Sequence, residues 1–300
     1  MDNLIQLLFL VSLLALAASL VEGLVLSRIG KKDYDWRATG TSLAITVLRR
    51  VTELVPLWVA MPGAFWIHEH RLFNIPMDAA WSWLLLFLGV EFFYYWFHRA
   101  SHRVRWFWTN HLVHHTPNQF NLSAAYRLGW ASRFIGVLGF FLPLVWLGFE
   151  PKVVAVAFVL NLLYQFWIHA AWIPRLGWLE GIVNTPSAHR VHHATNLEYL
   201  DANYGGVLMV FDRLFGTYVA EREDLPIRYG LVNPVLSYNP FRIVLLPWWE
   251  LLRDLARCRS LREFAGTLFG PPGWRADGQG MTTENLRQAA LQTCAPGLSA

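Results

Sequence analysis

The chain has 300 residues, 55% of them hydrophobic and only 15% charged, with sixteen tryptophans and a formal charge of +4. That balance lies outside the range of soluble globular domains and points to a membrane protein. No block of Lys and Arg interleaved with aromatics suggests nucleic acid. The two cysteines, Cys258 and Cys294, exclude a disulfide framework and a CxxC motif, leaving a reduced or buried pair.

Residues 4–26 are nearly all apolar, with a single charge at Glu22. The segment follows Asp2 rather than a basic cluster and runs past Ala15-Leu16-Ala17, the place where a signal peptide would be cut, so a retained membrane helix is expected. Residues 51–67 form a weaker, shorter span containing Pro56 and Pro62, whereas residues 79–97 form a strong one with one charge, Glu91. Residues 134–149 and 153–173 are an apolar pair interrupted by Glu150, Pro151 and Lys152, which predicts a helical hairpin or a tightly turned pair of spans. Beyond residue 174 no stretch reaches spanning length. The run FRIVLLPWWELLRDLA at 241–256 mixes aromatics with charges and reads as interfacial. Residues 270–300, rich in Gly, Pro and polar residues, are expected to be loosely ordered.

Basic residues set the orientation. Arg28, Lys31, Lys32, Arg37, Arg49 and Arg50 lie between the first two spans, and the next loop has only Arg71. Residues 98–133 carry Arg99, Arg103, Arg105, Arg127 and Arg133 and no acid. By the positive-inside rule these basic sides are cytosolic, and counting spans puts the chain after residue 174 there too.

The histidines now acquire meaning. HRASH contains His98 and His102 at i and i+4; HLVHH contains His111, His114 and His115, and HRVHH contains His189, His192 and His193, both at i, i+3 and i+4. On a helix these offsets bring side chains to one face, about 5–6 Å apart at Cβ, a natural bite for metal. A lone histidine near a membrane helix is ordinarily hydrogen-bonded to backbone or lines an aqueous cavity. Eight in three clusters on one side are costly to satisfy in that way, and metal binding follows. His169, near the cytosolic end of the last span, is placed to join them, while His68 and His70 fall in the opposite loop and are excluded. Imidazole suits Zn, Cu, Fe and Ni. The nitrogens exceed the needs of one tetrahedral zinc, and the Glu plus Glu-x-x-His set of soluble di-iron bundles is missing. Two irons are inferred, with a zinc pair left open.

The segments EFFYYWFHRASH, FWTNHLVHHTPNQFNLSAAYR and NTPSAHRVHHATNLEYLDANYGGVLMVFDRLFGTY, with QFWIHA between the last two, are similar to the membrane fatty acid hydroxylase and sterol desaturase superfamily, especially its alkylglycerol monooxygenase branch. The resemblance covers roughly residues 80–235. It implies an integral membrane di-iron oxidase that uses O2 to hydroxylate or desaturate an aliphatic C–H position of a lipid. It implies as ligands His98, His102, His111, His114, His115, His169, His189, His192 and His193. The sequence departs from the pattern at Ile173, where some members carry a further histidine, at Thr116-Pro117 and at Ala188. A role for Asn203, or a water, in replacing the lost ligand is one expectation.

The expected architecture is all-α: a polytopic membrane protein with four to five transmembrane helices and a cytosolic helical cap carrying the histidine boxes. Residues 1–78 would be N-terminal transmembrane helices, 79–235 the catalytic domain and 236–300 a membrane-surface, partly disordered tail. An aliphatic C–H bond has no acidic proton, so chemistry must begin with a metal–oxygen oxidant kept from water. Ligand imidazoles need acceptors that fix one tautomer. Glu91, two turns before His98, is a candidate, with Asp201, Asp212 and Asn184; an Asp212–Arg213 salt bridge is the plainer expectation for that pair. Glu91, Asp201 and Asn203 are the candidate catalytic side chains. There is no GxGxxG, CxxCH or Fe–S cysteine set, so electrons come from an external donor, a cytochrome b5-type protein, a ferredoxin or a reduced pterin. The expected partners are the lipid, the membrane and that donor. The tryptophans read as interface anchors and packing rather than electron relays. The rival readings are a zinc-dependent membrane hydrolase, although no HExxH occurs, and a histidine-rich metal transporter, which would spread its ligands through the midplane.

Overall fold

The computed structural model describes residues 2–29, 34–53 and 61–294, and among them the chain is helical, with isolated β-bridges and no strand. Among the described residues two helices are long and apolar enough to cross a bilayer. The first, α1 (Asp2–Arg28), meets that criterion over Leu10–Arg28. The second, α4 (Ala80–Arg103), has 24 residues and so spans about 36 Å, against a hydrocarbon core of about 30 Å. Between them lie α2 (Trp36–Glu53), which takes up most of the basic stretch, and α3 (Met61–Glu69). The span expected over residues 51–67 falls partly outside the described residues.

The apolar pair is a hairpin, but its first limb is not one long helix. Residues Val137–Phe141 form 3-10 turns that lead into the six-residue α6 (Leu142–Leu147). The second limb, α7 (Pro151–Trp167), starts with Pro151, whose missing N–H costs nothing in a first helical turn. Gly148 makes the corner with φ +129°, and a Cβ there would stand 2.2 Å from the Phe73 carbonyl oxygen. Leu86, Val90 and Tyr94 of α4 pack on Phe141, Leu144, Val145 and Val154 to form the main apolar core.

Val104 is extended (φ −123°, ψ 118°), which breaks the helix after Arg103 and lets α5 (Arg105–His115) turn away from α4. A second core joins Ile45 of α2, Leu112 and Val113 of α5, and Ile243 and Val244 of α10 (Pro240–Ala256). The buried Arg127 ties α2 to the chain following α5: its guanidinium donates to Ser42 Oγ, Thr116 Oγ1 and the Ala38 carbonyl. Thr116, one of the departures noted in the sequence, is thus an acceptor for that guanidinium.

The C-terminal tail is more ordered than its composition suggests. After α10 come α11 (Leu261–Phe269) and α12 (Thr283–Cys294). Within the segment expected to be loose, the described residues make contacts with distant parts of the chain. Trp274 packs on Gly266, Arg103 pairs with both Asp201 and Glu284, and Arg287 donates to the Leu197 and Leu200 carbonyls. Cys258 is a free thiol, and the Cys294 side chain lies outside the described residues.

Replacing Gly148 with Ala is expected to destabilise the fold by about 2 kcal/mol, through left-handed strain and the clash with the Phe73 carbonyl. Thermal unfolding in detergent would read this as a lower midpoint.

Candidate metal centre

Three helices and one loop aim histidines at a common point. His98 and His102 sit on the last turns of α4, and the HLVHH triplet on the end of α5. The third box forms α8 (Pro186–His192), a seven-residue helix started by Pro186 and capped by Thr185, whose side-chain oxygen accepts from the Ala188 N–H; His193 is its C-cap. His169 follows α7 directly.

Their nitrogens gather in two groups, each with all ligand atoms within 4.8 Å of one another. One comprises His98, His102, His111, His115 and His192, the other His114, His169, His189 and His193. The triplets divide in opposite senses. In α5 the i, i+4 pair His111 and His115 serves the five-membered group and His114 the other; in α8 His189 and His193 serve the four-membered group and His192 the five.

Hydrogen bonds decide which nitrogens are free. The Nδ1 atoms of His98, His114, His169 and His192 lie 2.9, 3.1, 2.7 and 3.0 Å from the carbonyl oxygens of Tyr204, Ala124, Gln165 and Ala202. A carbonyl only accepts, so Nδ1 carries the proton and Nε2 is left with a bare lone pair. The Nε2 atoms of His114 and His169 nevertheless face each other at 3.3 Å, with no proton between neutral rings to join them. Similar Nε2 to Nε2 distances recur: 3.1 Å for His98–His111, 3.2 Å for His111–His115, 3.1 Å for His169–His189 and 3.2 Å for His189–His193. Burial holds the rings neutral, pushing His114 down to about 4 and His192 to about 3, with His111, His115, His169, His189 and His193 well below the usual range.

Lone pairs so placed fit shared cations. Metal–imidazole bonds of about 2.1 Å set neighbouring nitrogens about 3.0 Å apart at a right angle and about 3.4 Å at the tetrahedral angle. The buried Nε2 atoms of His102 and His192 have no hydrogen-bond partner, which fits the same use. Neither group contains a carboxylate or thiolate.

The acceptors that orient the rings are backbone carbonyls, which the sequence does not advertise. Two of them, Ala202 O and Tyr204 O, come from one loop held in shape by left-handed Asp201 (φ 58°) and Asn203 (φ 60°). Asn203 spends its amide on the Ala188 and Val219 carbonyls and the Val219 N–H. Asp201 pairs with Arg103 at 2.5 Å, and Glu91 accepts from Asn161 and from the Val207 and Leu208 N–H groups. These bonds place the three candidate catalytic side chains around the loop and the helix ends rather than on an imidazole. Asn184 likewise donates to the Gly205 carbonyl, and Ile173 makes backbone hydrogen bonds, its N–H to the Ala170 carbonyl and its carbonyl to Arg190. Asp212 does not pair with Arg213 as expected. It is fully buried and accepts from the Tyr204 and Gly205 N–H groups and the Thr217 hydroxyl, and burial pushes its carboxyl up to about 6. His68 and His70 lie outside both groups.

A chamber of about 630 Å³ reaches the five-membered group through His102, His115 and His192. Its far wall is C-terminal chain, including Pro247 of α10, Trp274 and Leu286.

Residues 83–217 match the sequence model of a family described as fatty acid hydroxylase. Those residues form a fatty acid hydroxylase domain. Alkylglycerol monooxygenase of Homo sapiens is 40% identical over 235 residues, 78% of this chain and 52% of that protein. The proteins of that name from Xenopus tropicalis and Danio rerio are 38% and 37% identical over the same extents. The chain spans about half the length of these relatives. No solved structure matches it. The fatty acid hydroxylase segment contains every histidine of both groups and the 202–208 loop, and ends before the C-terminal chamber wall.

His192→Ala and His114→Ala, one from each group, are each expected to lower the metal content of the protein, measured by elemental analysis. Chelation of the wild-type protein should lower its thermal midpoint, because ions that bind only the folded chain stabilise it.

Proposed function

We propose that this protein is a membrane-bound, O2-dependent lipid monooxygenase with a non-haem di-iron centre. One iron would be held by His98, His102, His111, His115 and His192, the other by His114, His169, His189 and His193. The observation that carries the reading is the contact of bare nitrogens, most plainly His114 against His169, which only a shared cation relieves. The fatty acid hydroxylase family and the alkylglycerol monooxygenase relatives support oxidation of a lipid. When bound, the metal pair supplies the redox chemistry that an aliphatic C–H bond requires.

The chain's own residues do the rest. The four carbonyls keep their rings in one tautomer, and burial keeps them neutral and able to bind metal. The chamber meets the five-membered group alone, so the substrate carbon is presented on that side. Trp108 and Leu112 offer it apolar wall. Both arginines lining the chamber are already paired, Arg105 with Asp254 at 2.5 Å and Arg275 with Asp277 at 2.9 Å. A carboxylate or phosphate headgroup would have to displace those acids, so a neutral, hydroxyl-bearing lipid fits better. Electrons arrive from an external donor of cytochrome b5, ferredoxin or reduced-pterin type.

A multi-pass membrane setting, with the centre on the cytosolic side, accounts for the exposed apolar surface. Leu13, Leu14, Leu20, Val21 and Leu24 of α1 and Trp81, Leu84, Leu85 and Leu88 of α4 face outward. On α10, Phe241, Leu245, Trp249 and Leu252 form a second outward stripe opposite buried Ile243, Val244, Pro247 and Leu251, as for a helix lying at the membrane surface.

Membranes containing the protein, fed labelled lipid classes under 18O2 with a reductant, should yield a hydroxylated product bearing one heavy oxygen atom. Neutral hydroxylated lipids should turn over in preference to free fatty acids and phospholipids. Tightly bound zinc and no O2-dependent product would instead favour a hydrolase or transporter.

A further inference from the structure

Resting on the metal reading, two divalent ions would introduce four positive charges among nine neutral imidazoles, with no anion in either ligand group. So much buried charge calls for negative charge beyond the ligands. Two carboxylates of the fatty acid hydroxylase segment are almost wholly buried, Glu91 at 1% exposure and Asp212 at 0%. Both are held by N–H and O–H donors on the 202–208 loop or its neighbours.

Where those hydrogen bonds lead separates the two. The Gly205 N–H donates to Asp212 Oδ2 at 2.7 Å, and the carbonyl of that same peptide group, Tyr204 O, accepts from His98 Nδ1 at 2.9 Å. The peptide is a conjugated unit, so a carboxylate drawing on its N–H leaves its carbonyl oxygen more negative. The Tyr204 N–H fixes the other carboxylate oxygen at 2.7 Å, which sets the plane of the contact. Glu91 lacks this path: the peptide whose N–H it takes at Leu208 directs its carbonyl, Val207 O, to the Asn184 N–H rather than to an imidazole.

We propose that Asp212 is the carboxylate partner of His98, acting through the Tyr204–Gly205 peptide as a positioning residue that strengthens the ligand and offsets the charge of the ion in the five-histidine group. A carboxylate directly bonded to a ligand histidine is worth about 10–100-fold in metal affinity. Acting through one peptide, Asp212 sits at the lower end of that range, at about tenfold.

The test titrates Co(II) into the full-length, metal-free protein in detergent, with chelator competition and visible spectra. Wild-type protein should bind two ions; failure to do so overturns the metal reading itself. Asp212→Asn should weaken one ion about tenfold and shift its ligand-field bands, leaving the other ion within about twofold. In the iron-loaded form it should raise the reduction potential, because lost negative charge favours the less positive metal. Glu91→Gln loosens the same loop without touching this peptide and should shift neither. If Asp212→Asn does not fold, Asp212→Ser replaces it, since a hydroxyl accepts one N–H bond without charge. Two wild-type-like affinities in the Asp212 variant, the same shift from Glu91→Gln, or misfolding of both Asp212 variants would overturn the inference, the last two by making the role purely structural.

Discussion

The bare Nε2 lone pairs of His114 and His169 face each other at 3.3 Å and repel, and further ring nitrogens crowd round them at 3.1 Å from one another. Four of the rings have their protons committed to carbonyls on the far side, so proton sharing does not relieve the His114–His169 contact, and burial keeps charge off the rings. Cations between the rings, as the proposed function requires, would relieve that repulsion. Helix ends, caps and loop turns all serve to hold rings in an orientation they would otherwise avoid.

The helical repeat distributes this task economically. Each triplet gives its i, i+4 pair to one group and its i+3 ring to the other, and α5 and α8 do so in opposite senses. Each group thus draws on both helices, and neither helix can rotate without disturbing both. The chain at 201–208 completes the support by holding His98 and His192 through a backbone with left-handed residues at Asp201 and Asn203, conformations that Asp and Asn tolerate better than most residues.

Much of this was legible in the residues. The spacing of HRASH, HLVHH and HRVHH is a side-chain pattern with helical period, and composition alone separated apolar helices from the rest. What carried no side-chain signal stayed hidden: the ring acceptors are carbonyls, so acidic and amide side chains such as Glu91, Asp201 and Asn184 drew expectation instead. Asp201 and Asn203 in DANYGG do signal left-handed backbone, a local clue to the loop though not to its carbonyls. The limb at 134–149 reads as a span by hydropathy, yet its glycines at 136 and 139 accompany tighter 3-10 turns. Glycine and proline after residue 270 suggest looseness, but distant partners, Arg103 for Glu284 and the Leu197 and Leu200 carbonyls for Arg287, order that chain.

Those distant partners have a consequence for assembly. Ribosomes finish the histidine helices and their supporting loop well before residues 271–286, which wall the chamber. A chain interrupted after the loop would possess every imidazole yet leave His102, His115 and His192 facing open water. The stretch at 271–286 is therefore what shelters those three imidazoles from water.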